Sequence, residues 1–154
     1  MTSNRPREIE NPVTGEILCF TRTAAETGGE LLVMENRWTR ADHQVPPHVH
    51  PGIEERWRVL EGTVGYRIGA KELILGVDES VVAPPGTPHS SWNEGDDPVS
   101  LRIEMRPALR WEEFVRQLFA LAGEDFRDTA AERSVTELLT EFAPEIALYP
   151  GGQP

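Results

Sequence analysis

The chain is 154 residues long, enough for one domain around one core and too short for two. Its 15 basic and 26 acidic residues give a formal charge of −11, spread along the chain; such a surface repels phosphate backbones and argues against a nucleic-acid partner. A lone cysteine excludes an internal disulfide framework, Met1 to Glu10 carry no signal-peptide core, and no apolar run could span a bilayer, so a cytoplasmic protein without a membrane partner is expected.

Residues 1–12 read as a flexible leader with little to bury. Turn chemistry at Asn11-Pro12-Val13-Thr14-Gly15 leads into a strand at 16–22, where Cys19 is expected to be a small buried hydrophobe. Thr27-Gly28-Gly29 is a further turn before a strand at 30–38. From 45 to 106, Gly52, Gly62, Gly69, Gly76, Gly86 and Gly95 break the chain into short pieces, with strands expected at 55–60, 63–68, 71–75, 80–83 and 99–105. In the last of these, Val99, Leu101, Ile103 and Met105 alternate with polar residues, as in a half-buried strand. No helix-length segment separates the strands, so a sandwich or barrel is expected over parallel α/β.

After Pro107 the apolar period becomes helical. Trp111, Phe114, Val115, Leu118, Leu121 and Ala122 define a helix over 111–122, with Gly123 suited to the position just past its end. Ser134-Val135-Thr136-Glu137 has the form of a capping box for a second helix over 134–142, which Pro144 stops. The tail from Tyr149 to Pro154 is expected to be mobile. The chain then divides into a leader at 1–12, a β-barrel at 13–110 and a helical extension at 111–154 that covers a sheet face or a dimer contact.

Three of the four histidines fall in two compact motifs. In Pro46-Pro47-His48-Val49-His50-Pro51-Gly52-Ile53-Glu54-Glu55, residues two apart on a strand face one side, so His48 and His50 can both point into a barrel, and a carboxylate follows at 54 or 55. Pro84-Pro85-Gly86-Thr87-Pro88-His89, followed by Asn93, places one more histidine at the start of another strand. Three imidazoles and a carboxylate suit a divalent transition ion and leave about two positions open on an octahedral one. His43 matches neither motif and is expected at the surface; Asn93 is expected to make turn hydrogen bonds.

These two stretches resemble the paired motifs of the cupin superfamily over roughly residues 30–106. In the first, Glu55 is followed by six residues and then Gly62, so the spacing selects Glu55 over Glu54. In the second, Pro84, Gly86, His89 and Asn93 all fit, while Gly76 lies seven residues ahead of Pro84, where the family has about five. The resemblance implies a mainly β fold: a single double-stranded β-helix, or jelly roll, with two short C-terminal helices. It also implies metal ligation by His48, His50, Glu55 and His89, with iron, manganese, nickel, zinc or copper as the ion. If Glu55 points inward, so should Trp57 and Val59; Tyr66 shares a face with Val64 and Ile68, and Ser91 with His89. Trp57, Tyr66, Ser91 and Trp92 are therefore pocket candidates.

Two functions follow. One is an enzyme, a dioxygenase or isomerase working on a small organic molecule at the metal, with Tyr66 or Glu54 as candidates for proton transfer. The other is a module that binds or senses a small molecule without turnover. The expected assembly, on family resemblance, is a homodimer.

Overall fold

The computed structural model describes residues 5–122 and 129–149. Eleven strands and two helices follow one another among them: β1 Glu8–Glu10, β2 Ile17–Arg22, β3 Leu32–Trp38, β4 Gln44–Val49, β5 Glu54–Glu61, β6 Val64–Ile68, β7 Lys71–Leu75, β8 Ser80–Ala83, β9 His89–Asn93, β10 Val99–Arg106, α1 Trp111–Ala122, α2 Thr129–Glu141 and β11 Ala147–Leu148. They form two antiparallel sheets, one in the order β1-β2-β3-β10-β5-β8 and the other β11-β4-β9-β6-β7. The fold is a double-stranded β-helix, mainly β with two C-terminal helices.

The inner faces are set by alternation. On β10, Val99, Leu101, Ile103 and Met105 are buried while Arg102 and Arg106 are exposed, and this strand is paired on both sides, to β3 and β5. Leu18 and Phe20 of β2, Met34 and Trp38 of β3, and Trp57 and Val59 of β5 continue the same core. A period of two, matched across four neighbouring strands, fixes the register, because a one-residue slip would turn each set outward.

Four details differ from the sequence expectation. Residues 8–10, assigned to the leader, pair with β2, and the Phe20 amide donates to the Arg7 carbonyl at 2.7 Å. Cys19 lies half-buried on the outer phase of β2, between inward-pointing Leu18 and Phe20. The second helix is already formed at Thr129, so Ser134 sits inside it and does not cap it. Ala147 and Leu148 pair with Val49 and His48, a bridge too short to announce itself by pattern. Gly123 and residues 150–154 lie outside the described residues.

Two glycines are demanded by close approach. Gly62, the last residue of the first motif, has φ of 86°, and a Cβ there would stand 2.7 Å from the Pro98 carbonyl oxygen. Gly65 pairs with Trp92 across β6 and β9, and a Cβ would fall 2.1 Å from the indole ring. Gly65→Ala is expected to lower stability by about 1–3 kcal/mol through overpacking. The shift in urea midpoint should be largely recovered in the Gly65→Ala/Trp92→Ala double variant; additive losses would contradict this contact as the cause.

The helices close the barrel. Phe114, Val115, Phe119 and Ala122 of α1 are buried, as are Leu138, Phe142 and Ile146 of α2 and the segment after it. Arg110, at the junction, bonds Glu145 Oε1 through Nε at 3.1 Å, donates to the Glu141 carbonyl at 2.9 Å, and lies over the Phe142 ring at 4.4 Å. The extension is thereby a wall of the barrel, and no helix among the described residues is long and apolar enough to cross a membrane.

Candidate metal centre

β4 delivers His48 and, just beyond its end, His50; β5 delivers Glu55 and β9 begins with His89. The prolines of the first motif set this alignment. Val45 pairs with Ser91 and His48 with His89, so Pro46 and Pro47 together oppose Ser90 alone. That is a β-bulge, where residues without an amide donor are tolerated, and without it Pro47 would stand opposite His89.

All four side chains are buried, and one candidate ligand atom from each lies within 4.8 Å of the others. The imidazole centroids are 4.4 Å apart for His48 and His89, 4.9 Å for His48 and His50, and 5.1 Å for His50 and His89. Each ring is held from behind by a main-chain carbonyl. His48 Nδ1 donates to Pro46 at 2.8 Å, His50 Nδ1 to Glu145 at 2.8 Å, and His89 Nδ1 to Thr87 at 2.9 Å. A carbonyl can only accept, so each Nδ1 carries a proton and Nε2 is the ring atom turned toward the common centre. Glu55 Oε2 lies 2.8 Å from His50 Nε2 and 3.1 Å from His89 Nε2. The His50 atom nevertheless makes no aligned hydrogen bond; it is a buried nitrogen aimed at the centre. This donor set, ordered by its own main chain, fits a divalent transition ion.

Electrostatics agree. Burial alone would raise the Glu55 pKa, but His50 and His89 outweigh it and hold the carboxyl well below the usual range, as carboxylate. Burial and the two neighbouring imidazoles push His48 down to about 4, so it is neutral at pH 7. Burial also opposes charge on His50, yet Glu55 raises it on balance.

His48, Glu55 and His89 line a cavity of about 310 Å³. Trp57 and Ser91 line it, as the strand phase predicts. Tyr66 does not: it is fully buried behind Trp57, with ring centroids 5.2 Å apart, and its hydroxyl has no partner among the described residues. Burial pushes that phenol well above its ordinary pKa. Trp92 is corrected more firmly. His89, Ser91 and Asn93 point inward, so Trp92 points outward, lies on Gly65 and bonds Glu94. Glu54 is half-buried on the phase opposite Glu55. Asn93 makes the expected turn bonds, donating to the Asp97 carbonyl at 2.8 Å and accepting from the Gly95 amide at 3.0 Å.

His43 is not at the surface. It is buried, stacks on Trp38 at 4.6 Å between centroids, and lines the same cavity. Other contributors escaped the sequence reading. Glu16 and Asn36 line the cavity, and Trp111 meets His50 edge-on at 4.7 Å. Glu16 had a signal in the sequence, since it shares the phase of Leu18 and Phe20. The Glu145 carbonyl had none, because it acts on a residue 95 positions away.

Burial pushes the Glu16 carboxyl up to about 7, against a hydrogen bond from Asn36 that lowers it. The folded chain then binds the proton more tightly than the unfolded one, so stability falls as pH rises from about 4.5 to about 7. The full shift is worth at most roughly 3 kcal/mol, and partial exposure brings the expected effect nearer 1 kcal/mol. Glu16→Gln should therefore gain on the native chain in urea unfolding between about pH 5 and about pH 8; a difference flat across that range contradicts the assignment.

A family model described as a cupin domain matches residues 40–105. An uncharacterized conserved protein with a double-stranded β-helix domain from Klebsiella pneumoniae subsp. pneumoniae aligns at TM-score 0.52 and 20% identity, over 71% of this chain and 84% of that one. A Thermotoga maritima protein described as a predicted oxalate decarboxylase aligns at TM-score 0.57 and 17% identity, over 66% and 91%. KdgF from Halomonas sp. aligns at TM-score 0.52 and 17% identity, over 60% and 81%. At these identities the likeness is one of fold. No curated protein matches the chain.

Proposed function

We propose that the protein, whose residues 40–105 match the cupin-domain family model, is a mononuclear metal enzyme of the dioxygenase or isomerase class acting on a small organic molecule. His48, His50, Glu55 and His89 hold one ion of iron, manganese, nickel, zinc or copper. Such an ion supplies Lewis acidity, and dioxygen chemistry where it is iron. The protein supplies the rest. Trp57, Trp111 and Phe114 line the cavity, pack an apolar body and exclude water, and the Ser91 hydroxyl is available to orient a polar group.

The support for this reading is one feature: three buried imidazoles, each locked by a carbonyl on Nδ1, turn Nε2 together with a carboxylate toward one point at the wall of a ligand-sized cavity. A purely structural polar cluster has no need of a cavity.

Elemental analysis after loading should find one ion per chain, lost in His48→Ala and His89→Ala. Oxygen uptake or product formation should appear against a panel of diketones, catechols and flavonols, and vanish in the same variants. Stoichiometric metal with ligand binding but no turnover makes the chain a binding module instead. No metal under any loading contradicts the enzyme reading.

A further inference from the structure

We propose that Glu16, Asn36 and His43 form a second recognition pole at the far end of the cavity from the metal ligands. The ligand is then an elongated molecule with an oxygen donor at the metal, a ring in the middle and a hydroxyl at this pole. The inference rests on the metal reading above and adds the ligand class.

Both sheets place this pole at the same level. In the first sheet, Leu32 is level with Met105 and Glu55, whereas Asn36 is level with Leu101 and Val59. Asn36 is therefore four positions along from the Glu55 level, about 13 Å at the strand rise. In the second sheet, His48 pairs with His89, and the Asn93 amide donates to the His43 carbonyl at 3.0 Å, again four positions beyond His89. The Trp38–His43 stack, with Trp38 two positions beyond Asn36, joins the two sheets at this end of the cavity. Glu16, Asn36, His43, His48, Glu55 and His89 all line one cavity.

The pole is built, not incidental. Trp38 Nε1 donates to Asn36 Oδ1 at 2.7 Å. Asn36 Nδ2 donates to Glu16 Oε1 at 2.9 Å and to the Ile17 carbonyl at 3.1 Å. The amide is fully used and holds the carboxyl in place, while Glu16 Oε2 makes no hydrogen bond among the described residues. His43 is 6% exposed, and its Nε2 is buried with no partner among the described residues. Native proteins rarely leave such an atom unpaired.

The chemistry of the pair selects the ligand group. Burial first of all disfavours charge on His43 and on Glu16 alike. A carboxylate would give up its hydration between two groups that themselves resist charge, and an ammonium would lose its hydration in an aromatic channel. A hydroxyl can donate to one partner and accept from the other without a net charge. Trp57, Phe114 and Phe119 line the cavity and offer ring faces and edges to the middle of the ligand. A volume of about 310 Å³ is at the small end of ligand sites and limits that middle to about one ring.

The test uses cobalt(II)-loaded protein, titrated with para-hydroxyphenylpropanoate and with phenylpropanoate while the cobalt visible bands are followed. Both probes should perturb the bands, and the hydroxylated one should bind at least about tenfold more tightly. In Glu16→Leu, and separately in His43→Phe, which keeps a ring on Trp38, that preference should fall to near unity. Cobalt content and phenylpropanoate affinity should not change. Equal affinities in the native chain, a preference retained in both variants, or cobalt bands that neither probe moves would each overturn the second pole. Failure to take up cobalt overturns the metal centre beneath it, a result read before either probe is added.

Discussion

Alanine in place of His50 is expected to weaken divalent-ion binding by more than about 100-fold, beyond the 10–100-fold that loss of a supporting hydrogen bond alone costs. Three effects add. One donor is lost outright. Glu55 loses the neighbour at 2.8 Å that most strongly favours its charged form. The Glu145 carbonyl loses the Nδ1–H it accepts, which loosens the segment closing the site. His43→Ala, in the same cavity but outside the ligand set, should leave affinity unchanged. Competition against a chromophoric chelator measures both. Because Glu55 raises the His50 pKa, the ion must displace a proton there, and affinity should climb with pH through the histidine range. Equal losses in the two variants would mean that the cavity as a whole, and not the donor set, governs binding.

Phe142→Ala is expected to cost about 3–5 kcal/mol, the range for truncating a fully buried aromatic ring. The ring is 0% exposed, 5.5 Å from Phe114 between centroids and beneath Arg110. Such a loss is a large share of the about 5–15 kcal/mol that holds a domain of this size. It should also reach the metal. The Phe142 carbonyl accepts from the Glu145 amide at 2.9 Å and the Ile146 amide at 3.0 Å, and Glu145 in turn holds His50. Metal affinity should therefore fall in a variant that touches no ligand. Urea unfolding gives the first number and a metal titration the second. Full destabilisation with native metal affinity would show that the extension merely packs on the barrel.

The four side chains that the fold groups as a candidate metal site could be singled out in the sequence because their signals are local, the choice of Glu55 resting on the resemblance to the cupin motifs. Two-residue spacing puts His48 and His50 together, and the interval from Glu55 to Gly62 is fixed by a glycine that no other residue can replace beside Pro98. The alternation on β10 and the apolar period of α1 were legible for the same reason: each is a repeat along one segment. What escaped depends on partners far along the chain. His43 became a buried cavity residue because Trp38 of another strand stacks on it. Glu16 faces inward because β2 continues its phase past the strand's first residue. Trp92 faces outward because the period of two that places Ser91 inside must place its neighbour outside. The pairing of β11 and the Glu145 carbonyl bond join residues nearly a hundred positions apart, where no pattern within one segment can report them.

X-ray absorption at the metal edge of the zinc-loaded protein tests the central claim most directly. Three imidazole nitrogens at about 2.0–2.1 Å and a carboxylate oxygen at about 2.0–2.2 Å are expected, with one imidazole contribution lost in His89→Ala. A sulfur in the shell, fewer than three imidazoles, or a spectrum indifferent to His89→Ala would contradict the assignment of His48, His50, Glu55 and His89 as one metal centre.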